Sequence, residues 1–543
     1  MAAVIERQDG RLSGVATSER VGRTAAGRIR AAVLGPTGLL VGLTAIGATF
    51  IFWLVHRALI DDAYITLTYA RTLAEHGQWG MLPGHEANSA TSPLNVLLLG
   101  GLTVIVGDPV VALGVLYVLT CVALAIALRG LGQALGLGYR VAVFGTPILV
   151  ASPLLASTIG LETMLVVTGM AYLAWACASG NATMAGLVAG IMLWLRLDSV
   201  VVAGILVLGT PLLWRRLIRI AALTVAVVLP WLVFSWLVLG SAIPDTLVIK
   251  QDDPWGQFVM GLQNRYYPPY PWVITGVYVI GGIGLLAALT WPLWRQRGVG
   301  VSSVVPALVV AGAAYFGLMW QLNIPPFFWY YAPTFAALAI AAAIGLAALS
   351  GPRFGADVRA GAATVGCALI VLTLVPWWNL ATAHAPLREM PIHGNWALPG
   401  QYAKIGRQLH DIVGDTPVHS PGEVGALAYF CRCTIIDRFS DRALLVDPIK
   451  QARHESWLYR LNYDGLDLRD LEPVKPSYWL VWEPGPDRSG RGWNTTGLAG
   501  SKRAHGHLAL LTQFPGKVDQ KVDHQPPDQP GSTFETARDG SLP

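Results

Sequence analysis

Up to about Ala383 the chain is a succession of apolar runs separated by short polar segments. After that the pattern changes to charged, aromatic and proline-containing stretches without long apolar runs. A helix needs about 20 mostly apolar residues to cross ~30 Å of hydrocarbon. Runs of that order extend from about Ala32 to Val55 and near 110 to 128, 141 to 156, 161 to 178, 182 to 196, 199 to 213, 217 to 239, 273 to 293, 301 to 320, 329 to 349 and 359 to 379. The pattern predicts an all-α polytopic membrane protein with about eleven transmembrane helices.

One further run, Leu94 to Val106, decides the orientation. At about 13 residues it has the length of an interfacial or re-entrant segment rather than a span. With it counted as interfacial, Arg129 and Arg140, the cluster of Arg215, Arg216 and Arg219, the pair Arg295 and Arg297, and Arg353 with Arg359 all fall on one side. The positive-inside rule makes that side cytoplasmic. Asp61, Lys250 and His419 then face outward.

The organisation expected is a basic cytoplasmic tail over 1–31, a membrane domain over 32–383, a small extracytoplasmic α/β domain over 384–515 and a disordered tail over 516–543 rich in Pro, Asp, Gln and Gly. The first run is too long for a signal-peptide core and lacks a small-residue cleavage site, so it reads as an uncleaved anchor. In the soluble part, Ala426 to Ile436 and Tyr478 to Trp482 alternate as strands do.

Composition agrees: of 543 residues 53% are hydrophobic and 13% charged, against ~25% charged in ordinary soluble domains. The net charge of +5 is what basic cytoplasmic loops supply and implies no nucleic acid. Cys121, Cys177 and Cys367 fall inside apolar runs as small core residues. Cys431 and Cys433 are too close in sequence for an easy bridge to each other. No internal repeat, phosphate-binding loop, dinucleotide fingerprint or zinc-ligand spacing is present in the sequence.

Candidate chemistry begins just after the first run, where Leu59-Ile60-Asp61-Asp62-Ala63-Tyr64-Ile65 opens an amphipathic helix through Tyr69 and Arg71. Adjacent carboxylates repel each other, and such a pair can act as a general base or hold a cation. A plain helix cap with a second acid favoured by the helix dipole is the structural alternative. On the same side fall Glu162 in Gly160-Leu161-Glu162-Thr163, Asp198 in Arg196-Leu197-Asp198, and the segment Gly240 to Pro271 with Asp245, Lys250 and Arg265. Singly these read as a cap, an ion pair with Arg196 and a snorkelling lysine. Together they describe a polar cavity opening at one membrane face. Tyr266, Tyr267, Tyr270, Trp272 and Phe327 to Tyr331 crowd that face, either as an interfacial belt or as rings on which a sugar stacks.

The succession of these segments resembles the GT-C glycosyltransferases, integral membrane enzymes that use polyprenyl-phosphate sugars. The resemblance rests on Asp61-Asp62-Ala63-Tyr64, Asn88-Ser89-Ala90-Thr91-Ser92-Pro93-Leu94, Gly160-Leu161-Glu162-Thr163, Arg196-Leu197-Asp198 and Ile243-Pro244-Asp245-Thr246 with Lys250. In the soluble part, Gly422-Glu423-Val424-Gly425-Ala426-Leu427-Ala428-Tyr429 leading to Ile436-Asp437-Arg438 is similar to the branch containing arabinofuranosyltransferase B. That branch usually has proline at position 197 and asparagine at position 245.

The resemblance implies transfer of a sugar, arabinofuranosyl or mannosyl, from a polyprenyl phosphate to an extracytoplasmic cell-envelope glycan. Asp61 is then the expected general base, or the group that steadies the oxocarbenium-like state if configuration is retained, with Asp62 holding that geometry or a divalent metal. Lys250 and Arg265 are expected on the donor phosphate, and Tyr64, Arg71, Glu162, Asp198 and Asp245 around the substrates. The soluble domain is expected to shape the acceptor entrance. A transporter or flippase of lipid-linked sugars is the alternative, and it calls for ionisable residues near mid-span, where the sequence has almost none.

Overall fold

The computed structural model describes residues 35–251, 257–296, 303–488, 492–499 and 501–512. The basic tail, Arg297 and the expected disordered tail lie outside the described residues. The chain forms two compact units, one through Leu43 and one from Thr44 onward. Of the first, only Gly35 and the leading turns of helix α1 (Pro36–Val55) are described. The functional groups all belong to the second.

The protein is a multi-pass helical membrane protein. The membrane helices that follow α1 are α4 (Pro109–Ala134), α5 (Arg140–Val150), α6 (Thr163–Ala178), α7 (Ala182–Leu195), α8 (Ser199–Leu208), α9 (Leu217–Val238), α11 (Pro271–Leu289), α12 (Val304–Gln321), α13 (Ala332–Leu349) and α14 (Ala356–Ala383). All eleven apolar segments expected are thus helical, but among the described residues only seven helices are long and apolar enough to cross a membrane. The other four, α5, α6, α7 and α8, have 11, 16, 14 and 10 residues. Chain breaks cut them short. Ser152-Pro153 follows α5, Gly160 turns with φ 106° before α6, and Arg196 leaves α7 in extended conformation.

The alanine-rich helix α13 is buried almost throughout, packed on α5, α11 and α12. Small side chains permit this close approach. A Cβ at Gly284 would lie 2.1 Å from the Leu338 carbonyl oxygen, so α11 and α13 touch backbone to backbone.

Between α1 and α4 lie two helices that do not fit the spanning pattern. Helix α2 (Asp61–His76) is amphipathic and ends at Gly77 in left-handed conformation (φ 67°). Helix α3 (Pro93–Val106), the short run expected at the interface, has 14 residues and packs on α2. Arg216 donates to the Gly180 carbonyl at 3.2 Å, and a Cβ at Gly351 would lie 3.8 Å from Arg140 Nη1. Arg140, Arg216 and Arg353 therefore sit at helix ends turned away from those carrying Asp61, Glu162, Arg196 and Lys250.

After α14 come α15 (Pro399–Val413), α16 (Gly425–Cys431), α17 (Val446–Glu455) and α18 (Trp457–Asn462), with a short α10 (Thr246–Gln251) contributed from the loop after α9. Strands β1 (Val418–His419), β2 (Ile435–Ile436), β3 (Tyr478–Pro484), β4 (Gly492–Ala499) and β5 (Lys502–Leu511) form one mixed sheet in the order β2-β1-β3-β5-β4. The strand expected over Ala426 to Ile436 is corrected: most of it is helix α16, and only Ile435 and Ile436 are extended.

Two cysteine readings change as well. Cys431 and Cys433 are disulfide-bonded, because Arg432 between them adopts φ 55° and folds the chain back so that both sulfurs fall on one side. Cys367 is exposed on α14 while Cys121 and Cys177 are buried. On a membrane helix the apolar surroundings of an outward cysteine are lipid rather than core.

Candidate active site

Helix α2 organises the site because it is polar or aromatic on two sides. Its cap position is Ile60, which makes no side-chain cap bond, so neither acid caps its own helix. Asp61 and Asp62 stand in the first turn, where the helix dipole favours negative charge. Successive residues on a helix diverge by about 100°, and the two carboxylates accordingly meet different surroundings.

Asp61 is buried and caps another helix. Its Oδ2 accepts from the Gly425 backbone N–H at 3.0 Å and its Oδ1 from that of Ala426 at 2.7 Å, at the start of α16. Its own N–H donates to Asn395 Oδ1 at 3.2 Å. The approach is tight, since a Cβ at Gly425 would fall 2.0 Å from the Asp61 carbonyl oxygen. Further along the same face, Tyr64 packs on Tyr429 and Phe430 with ring centres 5.1 Å away. Arg71 donates to the Tyr429 carbonyl at 2.8 Å and lies 4.7 Å from its ring. Tyr64 and Arg71, expected at the substrates, belong to this docking face.

Asp62 lines a cleft of about 560 Å³ of empty space, open solvent included, together with Thr66 and Tyr69 one and two turns on, the Ser89–Ser92 stretch, Glu162, Arg196, Lys250, Trp329, Tyr330 and Phe439. Tyr69 shares hydrogen bonds with the Ala87 carbonyl and the Ser89 hydroxyl, both at 2.7 Å, fixing that stretch against α2. Burial, and then the charge of Asp61, push the Asp62 carboxyl up to about 7, against the pull of Lys250. Asp61 is raised to about 6 by burial, moderated by its two backbone hydrogen bonds.

The cationic wall is held on both sides. Arg196 pairs with Glu162 at 2.7 Å and with both oxygens of Asp198, and Tyr315 donates to Asp198 at 3.2 Å. Asp198 itself is not among the lining residues. Lys250 donates to the Tyr330 hydroxyl. The Tyr330 ring lies 5.4 Å from the Arg196 guanidinium and 5.2 Å from the Lys250 ammonium, so it separates the two cations.

The remaining candidates stand apart. Asp245 is buried in an ion pair with Arg442 at 2.9 Å and accepts from Ser241 at 3.3 Å. Arg265 has its guanidinium 5.8 Å from the Tyr266 ring and is not among the cavity residues. Of the crowded aromatics only Trp329 and Tyr330 line the cavity; Tyr266, Phe328 and Tyr331 are buried in packing, and Trp272 is exposed.

No protein-family model and no curated protein matches the sequence. Among solved structures, the chain is similar to the oligosaccharyltransferase AglB of Archaeoglobus fulgidus in complex with an inhibitory peptide and a dolichol-phosphate, with TM-score 0.54 and 11% identity over 82% of this chain and 69% of that one. It is similar also to ArnT of Cupriavidus metallidurans, apo (15% identity) and bound to undecaprenyl phosphate (14%), each with TM-score 0.50 over 87% of this chain and 97% of the other. The chain has the GT-C fold.

Within this GT-C fold the structure adds residues that the sequence did not single out. Glu423 accepts from the Trp396 backbone N–H at 3.1 Å and from the Tyr402 hydroxyl, and burial with the charge of Asp61 pushes its carboxyl up to about 8. Ser89, Ser92 and Phe439 line the cavity beside Asp62. The polar Asn88-Ser89-Ala90-Thr91-Ser92 run was the available signal for the serines and the Gly422–Tyr429 segment for Glu423; nothing local marked Phe439.

Among the described residues no three His, Cys, Asp or Glu side chains gather as a metal set. The cavity offers two carboxylates, and Glu162 is already paired with Arg196.

Proposed function

We propose that the protein is a membrane glycosyltransferase that moves one sugar, arabinofuranosyl or mannosyl, from a polyprenyl phosphate to an extracytoplasmic cell-envelope glycan. One observation carries the reading: a carboxylate with a raised pKa, Asp62, and an ammonium, Lys250, line one cavity beside the aromatic pair Trp329 and Tyr330. That is the equipment for transfer from a phosphate leaving group. A base near neutrality takes the acceptor proton, a fixed cation offsets charge growing on the phosphate, and rings accept the sugar's apolar face. The binding of undecaprenyl phosphate by ArnT and of dolichol-phosphate by AglB supports a lipid-linked donor.

In the reaction Lys250 binds the donor phosphate. Asp62 accepts the proton of the acceptor hydroxyl as its oxygen bonds to the anomeric carbon, and the bond from that carbon to the phosphate oxygen breaks. The polyprenyl phosphate leaves with its electron pair. Arg196, held by Glu162 and Asp198, adds positive potential along the same wall. Asp61 positions α16 and the soluble domain rather than taking the proton, and Arg265 is left out of the phosphate site.

The domain over 384–515 and the cavity are assigned to the extracytoplasmic side. The Cys431–Cys433 bridge fits an oxidising compartment, and the basic helix ends at the opposite pole fit the cytoplasm. The transporter alternative gains nothing from the site, whose ionisable groups gather at helix ends.

Purified protein incubated with radiolabelled polyprenyl-phosphate sugars and short glycan acceptors is expected to yield a labelled, elongated glycan with at least one donor. No transfer from any donor, together with movement of a lipid-linked sugar across proteoliposomes, would replace this reading with the transporter.

A further inference from the structure

Four large apolar side chains of the described chain beyond His384 stand exposed: Ile412, Trp457, Leu458 and Leu461. Three of them share the single short helix α18, with exposures of 63%, 58% and 53%. A water-facing surface has no use for such a cluster, and contiguous exposed apolar groups mark a surface that something covers.

The place of α18 says what covers it. Trp236, near the end of the membrane helix α9, donates its indole N–H to the Leu461 carbonyl at 3.1 Å. A Cβ at Gly465 would lie 3.8 Å from the Trp236 carbonyl oxygen. On α9 itself Val233, Phe234, Leu237 and Val238 are all exposed, as the lipid-facing side of a membrane helix must be. The apolar face of α18 thus continues the hydrocarbon-facing surface of α9 at its end, where tryptophan is favoured at the boundary between hydrocarbon and headgroups.

The geometry points to α17–α18 as a membrane-dipping hairpin: Trp457, Leu458 and Leu461 enter the lipid leaflet at the cavity end of the protein, with the bilayer as partner. Short amphipathic helices lie in this plane with one apolar face submerged. The hairpin is also tied to the site. Val248 and Ile249 of α10 pack with Leu445, Ile449, Ala452 and Tyr463 in one apolar cluster. Asn462 exchanges two hydrogen bonds with the backbone of Ile243, at 2.7 and 3.3 Å. The element that enters the leaflet is therefore the one against which the helix bearing Lys250 rests, and lipid holds α10 at a fixed depth.

The test is independent of sugar transfer. A nitroxide is attached at Leu458→Cys in full-length protein whose Cys121, Cys177 and Cys367 are replaced by serine, reconstituted in lipid nanodiscs. Collision rates with oxygen, which partitions into lipid, and with a water-soluble nickel complex are measured there and at the exposed polar position Lys475→Cys. The expected result is an oxygen-to-nickel ratio several-fold higher at 458 than at 475. Equal ratios, with the nickel complex reaching both, would place α18 in water and overturn the proposal. Low collision with both reagents at 458 would mean cover by protein, a second copy or another chain, and would equally overturn it.

Discussion

The two faces of helix α2 carry the same chemistry in adjacent residues and use it differently. On one face Asp61 spends both oxygens on the backbone of α16, Tyr64 packs on Tyr429, and Arg71 reaches the Tyr429 carbonyl. On the other, Asp62, Thr66 and Tyr69 border open space shared with Lys250 and Arg196. A carboxylate whose two oxygens accept from two backbone donors is held in place with those oxygens already engaged. One at a cavity wall, raised toward neutrality by burial, is available to a substrate. On the proposed mechanism the acidic pair does not act as a pair: α2 separates a clasp, Asp61, from the proposed base, Asp62, and the clasp fixes α2 against α16.

The comparison breaks most visibly at Asp62. Asp62→Asn keeps size and removes the basic oxygen, and transfer should fall ~10²- to 10⁴-fold with the unfolding midpoint unchanged. In the parent protein the rate should climb with pH through about 7 and level off above it, because Asp62 must be ionised to accept a proton. A rate that declines over that window would remove Asp62 from the role. Lys250→Ala comes next. Loss of a charged contact of about 1.5 to 3 kcal/mol should weaken donor binding by roughly 10- to 100-fold, measured by titration with the polyprenyl phosphate alone.

On the clasp face the effects move to stability. Asp61→Ala leaves the Gly425 and Ala426 N–H groups without their acceptor, at about 1 to 3 kcal/mol. Gly425→Ala drives a methyl to 2.0 Å from the Asp61 carbonyl oxygen and 2.9 Å from the Ile65 nitrogen, forcing the two helices apart. Both should lower the unfolding midpoint and speed proteolysis between the membrane helices and the sheet. The smallest effect is expected at Glu423. Its folded pKa, about 8, lies above its ordinary 4.5, so the stabilisation from holding its proton is complete below 4.5 and is lost as pH rises through 8. Glu423→Gln should flatten the fall in midpoint between pH 5 and 8, and an unaltered slope would count against a protonated Glu423.

What the sequence disclosed follows the range of the forces involved. Apolar runs declare membrane helices because hydrocarbon acts on each segment separately, and Leu94 to Val106 was legible as short for the same reason. The different surroundings of Asp61 and Asp62 were not, since Gly425, whose N–H donates to Asp61, lies 364 residues away. The helix over Gly425–Cys431 was hidden likewise: its first N–H groups are satisfied by Asp61, and that capping overrides an alternating pattern. Asp245, where the resembled branch has asparagine, is explained by Arg442, 197 residues distant. The Cys431–Cys433 bridge turned on one backbone angle at Arg432, which spacing does not reveal.

The account rests on the division of labour between neighbouring acids, and one paired measurement tests it most directly: turnover and unfolding midpoint of Asp61→Asn and Asp62→Asn, prepared side by side and assayed at pH 8 with the same donor. An asparagine at 61 retains a carbonyl oxygen for one of the two backbone donors, so that protein should turn over within a few-fold of the parent with a lowered midpoint. The Asp62→Asn protein should keep its midpoint and lose ~10²- to 10⁴-fold in rate. The opposite outcome, with turnover abolished at 61 and preserved at 62, would contradict the assignment.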